Sequence, residues 1–152
     1  MKTADKSIRR QLPGDAKRDL IMIIRESLEN YLKTIFILQR KQGYVRSIDV
    51  ARELGFSKPS VSVAMKKLRG EGLVNMDGDK NITLTEEGQN YAASVLERHA
   101  VIEKFLTDTL NVDKETAHKD SCRMEHLIST ETLTKIKESN KDIAEVAKLI
   151  GT

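Results

Sequence analysis

At 152 residues and a formal net charge of +3, the chain is long enough for one ordinary domain or two small ones sharing a core, and its mild basicity permits a nucleic-acid partner without demanding one. Hydrophobic residues make up 39% and charged residues 32%, with no Trp, three Tyr and three Phe, which suits a helix-rich soluble fold and argues against an aromatic-rich sandwich. The single Cys rules out an internal disulfide framework. No run approaches the roughly 18 apolar residues of a membrane span, and no signal-peptide layout opens the chain. A reducing, cytoplasmic location without a membrane partner is expected.

Residues 1–19 carry Lys2, Lys6, Arg9, Arg10, Lys17 and Arg18 around Pro13-Gly14, a polar, basic segment expected to be mobile. From Ile24, the spacing of Leu28, Tyr31, Ile35 and Leu38 predicts a first helix ending near Gly43. Ser47 is read as the N-cap of a short helix, Ile48 to Leu54, broken by Gly55-Phe56. Ser57 caps a third helix, with Pro59 where a missing N–H is harmless, running to about Arg69. Leu73–Met76 and Asn81–Leu84, separated by Asp77-Gly78-Asp79-Lys80, predict a hairpin. Thr85 opens a long helix to about Leu110, and two further helices are expected over 114–127 and 130–149. Helix, turn, helix and hairpin make a winged helix, in a mainly α fold.

Advancing each residue of the third helix by about 100° puts Val61, Met65 and Leu68 on one face and Pro59, Ser60, Val63, Lys66 and Lys67 on the other. A helix-turn-helix uses such a presented face in the major groove of double-stranded DNA. Ser60 can hydrogen-bond a base edge or phosphate, and Pro59 and Val63 can touch a thymine methyl. Lys58, Lys66 and Lys67 can neutralise phosphate, and Ser57 and Ser62 belong to the same surface. Lys80 at the hairpin tip and Arg46 before the second helix are further backbone contacts. Taken singly, each lysine is a solvated face. The ordered combination of turn, cap, proline, presented face and hairpin is what points to DNA.

All three histidines lie in the second half, beside carboxylates or the only cysteine. His99 and Glu103 are one helical turn apart, and His118, Cys122, Glu125 and His126 are read as one stripe of another helix. Two such stripes facing each other would gather six potential ligands. Thiolate, imidazole and carboxylate together favour Fe, Mn, Co, Ni or Zn over Mg or Ca. Each histidine alone is more simply a packed or surface residue; their joint placement with the cysteine favours a site.

At these residues the chain resembles the diphtheria-toxin-repressor and manganese-transport-regulator family of metalloregulators, over roughly residues 26–137. The resemblance is carried by Glu29-Asn30-Tyr31-Leu32, Ser57-Lys58-Pro59-Ser60-Val61-Ser62, Leu84-Thr85 before Gly88, Arg98-His99 through Glu103, and Cys122-Arg123-Met124-Glu125-His126. It implies a winged helix-turn-helix DNA-binding domain over 20–84 and a helical metal-binding, dimerisation domain over 85–152, acting as a homodimer on operator DNA. Cys122, Glu125 and His126, with Asn30 from the first helix, fall on the primary metal site; His99, Glu103 and His118 fall on the ancillary one. Asn30 stands where iron-responsive members have Met and manganese-responsive members Asp. Lys33 occupies a position that is acidic in the latter, against their two-metal arrangement. A ligand from the small barrel domain of longer members is expected to be missing.

The cysteine favours Fe(II), with Mn(II) next and Zn(II), Co(II) or Ni(II) as in vitro substitutes. The expected function is metal-dependent repression of metal-homeostasis genes rather than catalysis. Two alternatives remain: a winged-helix regulator that senses a small organic ligand, with a structural metal or none, and a metal-dependent hydrolase, for which no separate general base is visible.

Overall fold

The computed structural model describes residues 13–140. Helix α1 spans Gly14–Gln42 and buries Tyr31, Leu32, Ile35 and Leu38. It begins at Gly14 rather than near Ile24. Pro13 is its N-cap, and the Lys17 N–H bonds the Pro13 carbonyl at 3.0 Å. Residues 13–19 are largely exposed, so this first stretch buries no stripe and leaves no hydrophobic period in the sequence. The helix stops at Gly43, whose φ of +75° is reached without strain only by glycine. Residues 1–12 of the basic segment lie outside the described residues.

Helix α2 (Ser47–Leu54) is capped differently from the expectation: Arg46 is the N-cap, and its N–H donates to Asp49 Oδ2 at 2.8 Å, leaving Ser47 as the first helical residue. Helix α3 (Lys58–Gly70) starts as expected, with Ser57 Oγ accepting the Ser60 N–H at 3.3 Å. Strands β1 (Val74–Met76) and β2 (Ile82–Leu84) pair antiparallel, Val74 opposite Leu84 and Met76 opposite Ile82. Asp77 Oδ1 accepts the N–H groups of Asp79 and Asn81, each at 2.9 Å, and fixes the turn. The hairpin is tied to the connection between α1 and α2 by the Ile82 N–H on the Val45 carbonyl at 2.7 Å.

Helix α4 (Glu86–Lys104) is capped by Thr85 Oγ1, which accepts the Gly88 N–H at 3.0 Å. It continues as a π-helical turn, Phe105–Thr109, where the sequence predicts ordinary helix to about Leu110. Thr107 Oγ1 donates to the carbonyls of Glu103 and Lys104, both at 3.1 Å, and the Leu110 N–H reaches five residues back to Phe105. That competition for carbonyls widens the turn. Helix α5 (Lys114–Met124), capped by Asp113, ends before Glu125, which is its C-cap with the N–H still on the Ser121 carbonyl, and His126 lies in the turn that follows, short of the expected end at 127. Helix α6 (Thr130–Ser139) ends where Asn140 becomes extended; residues 141–149 of the expected last helix lie outside the described residues.

The main core gathers α1, α2, α3, the hairpin and Ala92 of α4, with Leu32, Ile35, Val61, Leu68 and Ile82 nearly or wholly buried. Two smaller clusters, around Val101–Ile136 and Ile102–Leu106–Ala117, hold α4, α5 and α6 together. Helix α4 belongs to both, and α1 packs against it. Among the described residues no helix is long and apolar enough to cross a membrane.

Candidate metal centre and DNA-reading face

The side chains that could hold a metal converge where α1, α4 and the end of α5 meet. His99 projects from α4, and its Nδ1 lies 2.7 Å from Glu125 Oε2 while its Nε2 lies 2.7 Å from Glu103 Oε2. His118, on α5, approaches the same Glu103 oxygen at 3.3 Å. Cys122, one turn after His118, places Sγ 3.8 Å from His99 Nδ1 and 3.9 Å from His118 Nε2. The nearest ligand atoms of His99, His118 and Cys122 all lie within 4.8 Å of one another. Cys122 thus stands with the two histidines of the other site implied by the resemblance, and Glu125 joins the two groups.

Glu125 is fully buried. Its Oε1 accepts from Lys33 Nζ at 2.5 Å and lies 3.3 Å from His126 Nε2, which is itself 3.1 Å from Asn30 Oδ1. Asn30 and His126, which the resemblance assigns to one site, therefore meet where α1 packs against the turn after α5. The other imidazole nitrogen, His126 Nδ1, is 2.6 Å from Glu29 Oε2, an arrangement that orients the ring and aims Nε2 at Asn30 and Glu125.

Glu29 was not among the expected site residues. Its Oε1 accepts from Arg25 at 3.0 Å, Tyr91 at 2.8 Å and Arg98 at 3.3 Å. Burial opposes its ionisation, but hydrogen bonds from His126, Tyr91 and Arg25 and the charge of Arg98 prevail and draw the carboxyl from 4.5 to about 2. The signal was a carboxylate one turn before the wholly buried Leu32, flanked in sequence by the buried stripe of Tyr31, Leu32 and Ile35. Burial pushes the Cys122 thiol up; Lys33 counters this, and Glu125 and Glu103 reinforce it. A cation arriving at this acidic, half-sheltered group would reverse that balance by stabilising thiolate. The donor set, soft sulfur with imidazole and carboxylate, fits a borderline divalent ion.

The winged-helix face is separate. Lys58, Pro59, Ser60, Ser62 and Lys66 are exposed, Val63 is 71% exposed, and Lys67 is part-buried. Ser57 Oγ lies 2.9 Å from Ser60 Oγ, so the capping hydroxyl also orients its neighbour. Arg46 stacks over the Tyr44 ring, 4.9 Å from its centroid, and Tyr44 donates to the Asp79 carbonyl at 2.8 Å, linking this cation to the hairpin. Lys80 is exposed at the hairpin tip with φ of +62°.

Residues 24–82 match the family model for the iron dependent repressor N-terminal DNA binding domain, and residues 85–146 match the model for the iron dependent repressor metal binding and dimerisation domain. The chain belongs to the iron-dependent repressor family. Both parts of a metal-dependent transcriptional repressor are present in this family member. The chain is 39% identical over 109 residues to the transcriptional regulator MntR of Escherichia coli O6:H1, covering 72% of this chain and 70% of that protein. It is 30% identical over 118 residues to the diphtheria toxin repressor of Corynebacterium glutamicum, covering 78% of this chain and 52% of the relative. Among solved structures, the manganese regulator SloR superposes with a TM-score of 0.65 at 32% identity, covering 73% of this chain and 52% of SloR. A manganese-dependent transcriptional repressor in complex with manganese gives a TM-score of 0.67 at 29% identity over 74% of this chain. The chain spans about half the length of these structures, 52% and 51%.

Proposed function

We propose that this family member is a cytoplasmic homodimer that binds operator DNA when loaded with Fe(II) or, next in preference, Mn(II), and represses metal-homeostasis genes. The observation that carries the reading is the convergence of His99, Cys122, Glu125 and His126 with Asn30 at the junction between the DNA-binding half and the helical half. Asn30, Cys122, Glu125 and His126 would hold one ion once the Cys122 thiol turns from His99 and His118, beside which it lies, and His99, Glu103 and His118 would form an ancillary group that shares Glu125. A bound ion supplies a coordinate cross-link between α1 and the end of α5. The rest is done by the chain: Glu29 fixes the His126 ring, and α1 carries Asn30 on the same rigid rod that packs under α2 and α3. Restricting α1 therefore restricts the recognition helix.

On DNA, Lys58, Lys66, Lys67, Arg46 and Lys80 contact phosphate, Ser57, Ser60 and Ser62 offer hydroxyls, and Pro59 and Val63 present apolar surface to thymine methyls. Two recognition helices must reach half-sites roughly 34 Å apart, so a modest change in their relative setting switches binding. The cysteine leans the preference to iron, since soft thiolate suits Fe(II) better than Mn(II).

The test is binding to promoter duplexes of metal-uptake genes at fixed salt, titrating Fe(II) anaerobically, Mn(II) and Zn(II) against a chelated control. The wild type binds with metal and not with chelator, whereas His126→Ala loses the metal-dependent component. Binding that the chelator leaves unchanged would refute the metal-gated repressor.

A further inference from the structure

Lys33 lies on α1 three residues after Asn30, hence on the same face. Its ammonium is 2.5 Å from Glu125 Oε1, and that oxygen also lies 3.3 Å from His126 Nε2, the nitrogen paired with Asn30. Glu125 is wholly buried, while the Lys33 side chain keeps 16% of its surface exposed. A buried carboxylate needs a counter-charge, and here a lysine supplies it at the edge of the proposed ligand group. An ammonium donates three hydrogen bonds and accepts none, so it is no ligand itself, and at that oxygen its positive charge repels an incoming divalent cation. Its flexible four-carbon stem and partial exposure give it a route to solvent.

Building on the metal-centre reading, we propose that Lys33 is a tethered cation that competes with metal for Glu125 and so sets the metal concentration at which the protein responds. In the metal-free protein, the Lys33–Glu125 pair joins α1 to the turn after α5. Metal uptake exchanges that ion pair for a coordinate link between the same elements. The apparent affinity is then the intrinsic affinity reduced by the fraction of molecules in which the ammonium has withdrawn. Neutralising Lys33 tightens binding, whereas a different long cation at this position preserves the weaker response.

The experiment compares the full chain with Lys33→Gln, Lys33→Met and Lys33→Arg, using Co(II) and Mn(II) as probes in competition with a fluorescent chelator. The Co(II)–thiolate absorption band reports engagement of Cys122 independently of DNA binding, and circular dichroism identifies a variant that has failed to fold. The expected result is at least a tenfold lower dissociation constant for both neutral variants, with Arg close to the wild type. Equal affinity in wild type and both neutral variants, or weaker binding in them, overturns the competition. Absence of uptake by every folded form would instead overturn the metal centre itself.

Discussion

Glu29 is a carboxylate with no exposed surface, held by three donors on one oxygen and His126 on the other. Its folded value of about 2 lies below the ordinary 4.5, so its contribution to stability is complete above the unfolded value and is lost as pH falls through the folded one. The shift corresponds to roughly 3 kcal/mol. Urea unfolding of chelator-treated protein between pH 7 and pH 2 should therefore show an acid limb below about pH 4.5 that Glu29→Gln flattens. The substitution should also cost roughly 2–4 kcal/mol at pH 7, because Arg98 and Arg25 lose a charged acceptor. An acid limb of equal slope in the variant would assign it to other groups. His126 is where this matters for function: a ring freed from Glu29 no longer presents a fixed nitrogen toward Asn30.

At the scale of elements, the start of α4 decides how the helical half leaves the winged helix. Thr85 donates to the Gly72 carbonyl at 2.7 Å while capping Gly88, and its N–H bonds the Leu73 carbonyl at 3.1 Å. Gly88 is pressed so closely on this strand entry that an added Cβ would stand 2.0 Å from the Leu73 carbonyl oxygen. The obstacle is backbone, not a flexible side chain, so relief requires α4 to shift off the hairpin. Gly88→Ala should destabilise the protein by about 3 kcal/mol or more in chemical denaturation. A loss under about 0.5 kcal/mol, the ordinary size of a harmless surface change, would show that the helix moves freely here. Such freedom would undercut any account in which α4 transmits position between the two halves.

For the whole molecule, the proposed switch is thermodynamic coupling between two distant surfaces, and coupling is reciprocal. If metal tightens operator binding by some factor, operator must tighten metal binding by the same factor. Couplings of this kind commonly lie between about 5-fold and 150-fold. Metal affinity measured with and without a saturating cognate duplex should differ by a factor in that range and match the effect of metal on DNA affinity. Identical metal affinity in the two conditions would sever the helical half from the reading half. The architecture favours coupling because α1 contributes to the winged-helix core and also carries Glu29, Asn30 and Lys33 to the candidate centre.

Local chemistry was enough to read the winged helix. Ser57 and Thr85 are capping residues wherever a helix follows them, Asp77-Gly78 turns a hairpin whatever surrounds it, and the stripe from Leu28 to Leu38 has one compact use. The candidate ligands His99, Glu103, His118, Cys122, Glu125 and His126 could be picked out by spacing, since histidine and cysteine at one-turn spacing have few joint purposes, whereas Asn30 entered only through the family resemblance. Tertiary structure decided what local periodicity does not encode. An exposed helical start at Gly14 buries no stripe, and a π-helical turn depends on Thr107 competing for carbonyls. Likewise the regular part of α5 ends at Met124, and periodicity does not say that Glu125 and His126 beyond it reach across to Lys33 and Glu29 of α1. The roles of Glu29 and Lys33 were least legible, because a charged residue on α1 looks solvated until the segments 60 to 100 positions away, bearing Tyr91, Glu125 and His126, fold against it. Sequence determined which donors exist and which elements carry them; packing alone decided which carboxylate meets which cation, since burial makes such pairing obligatory.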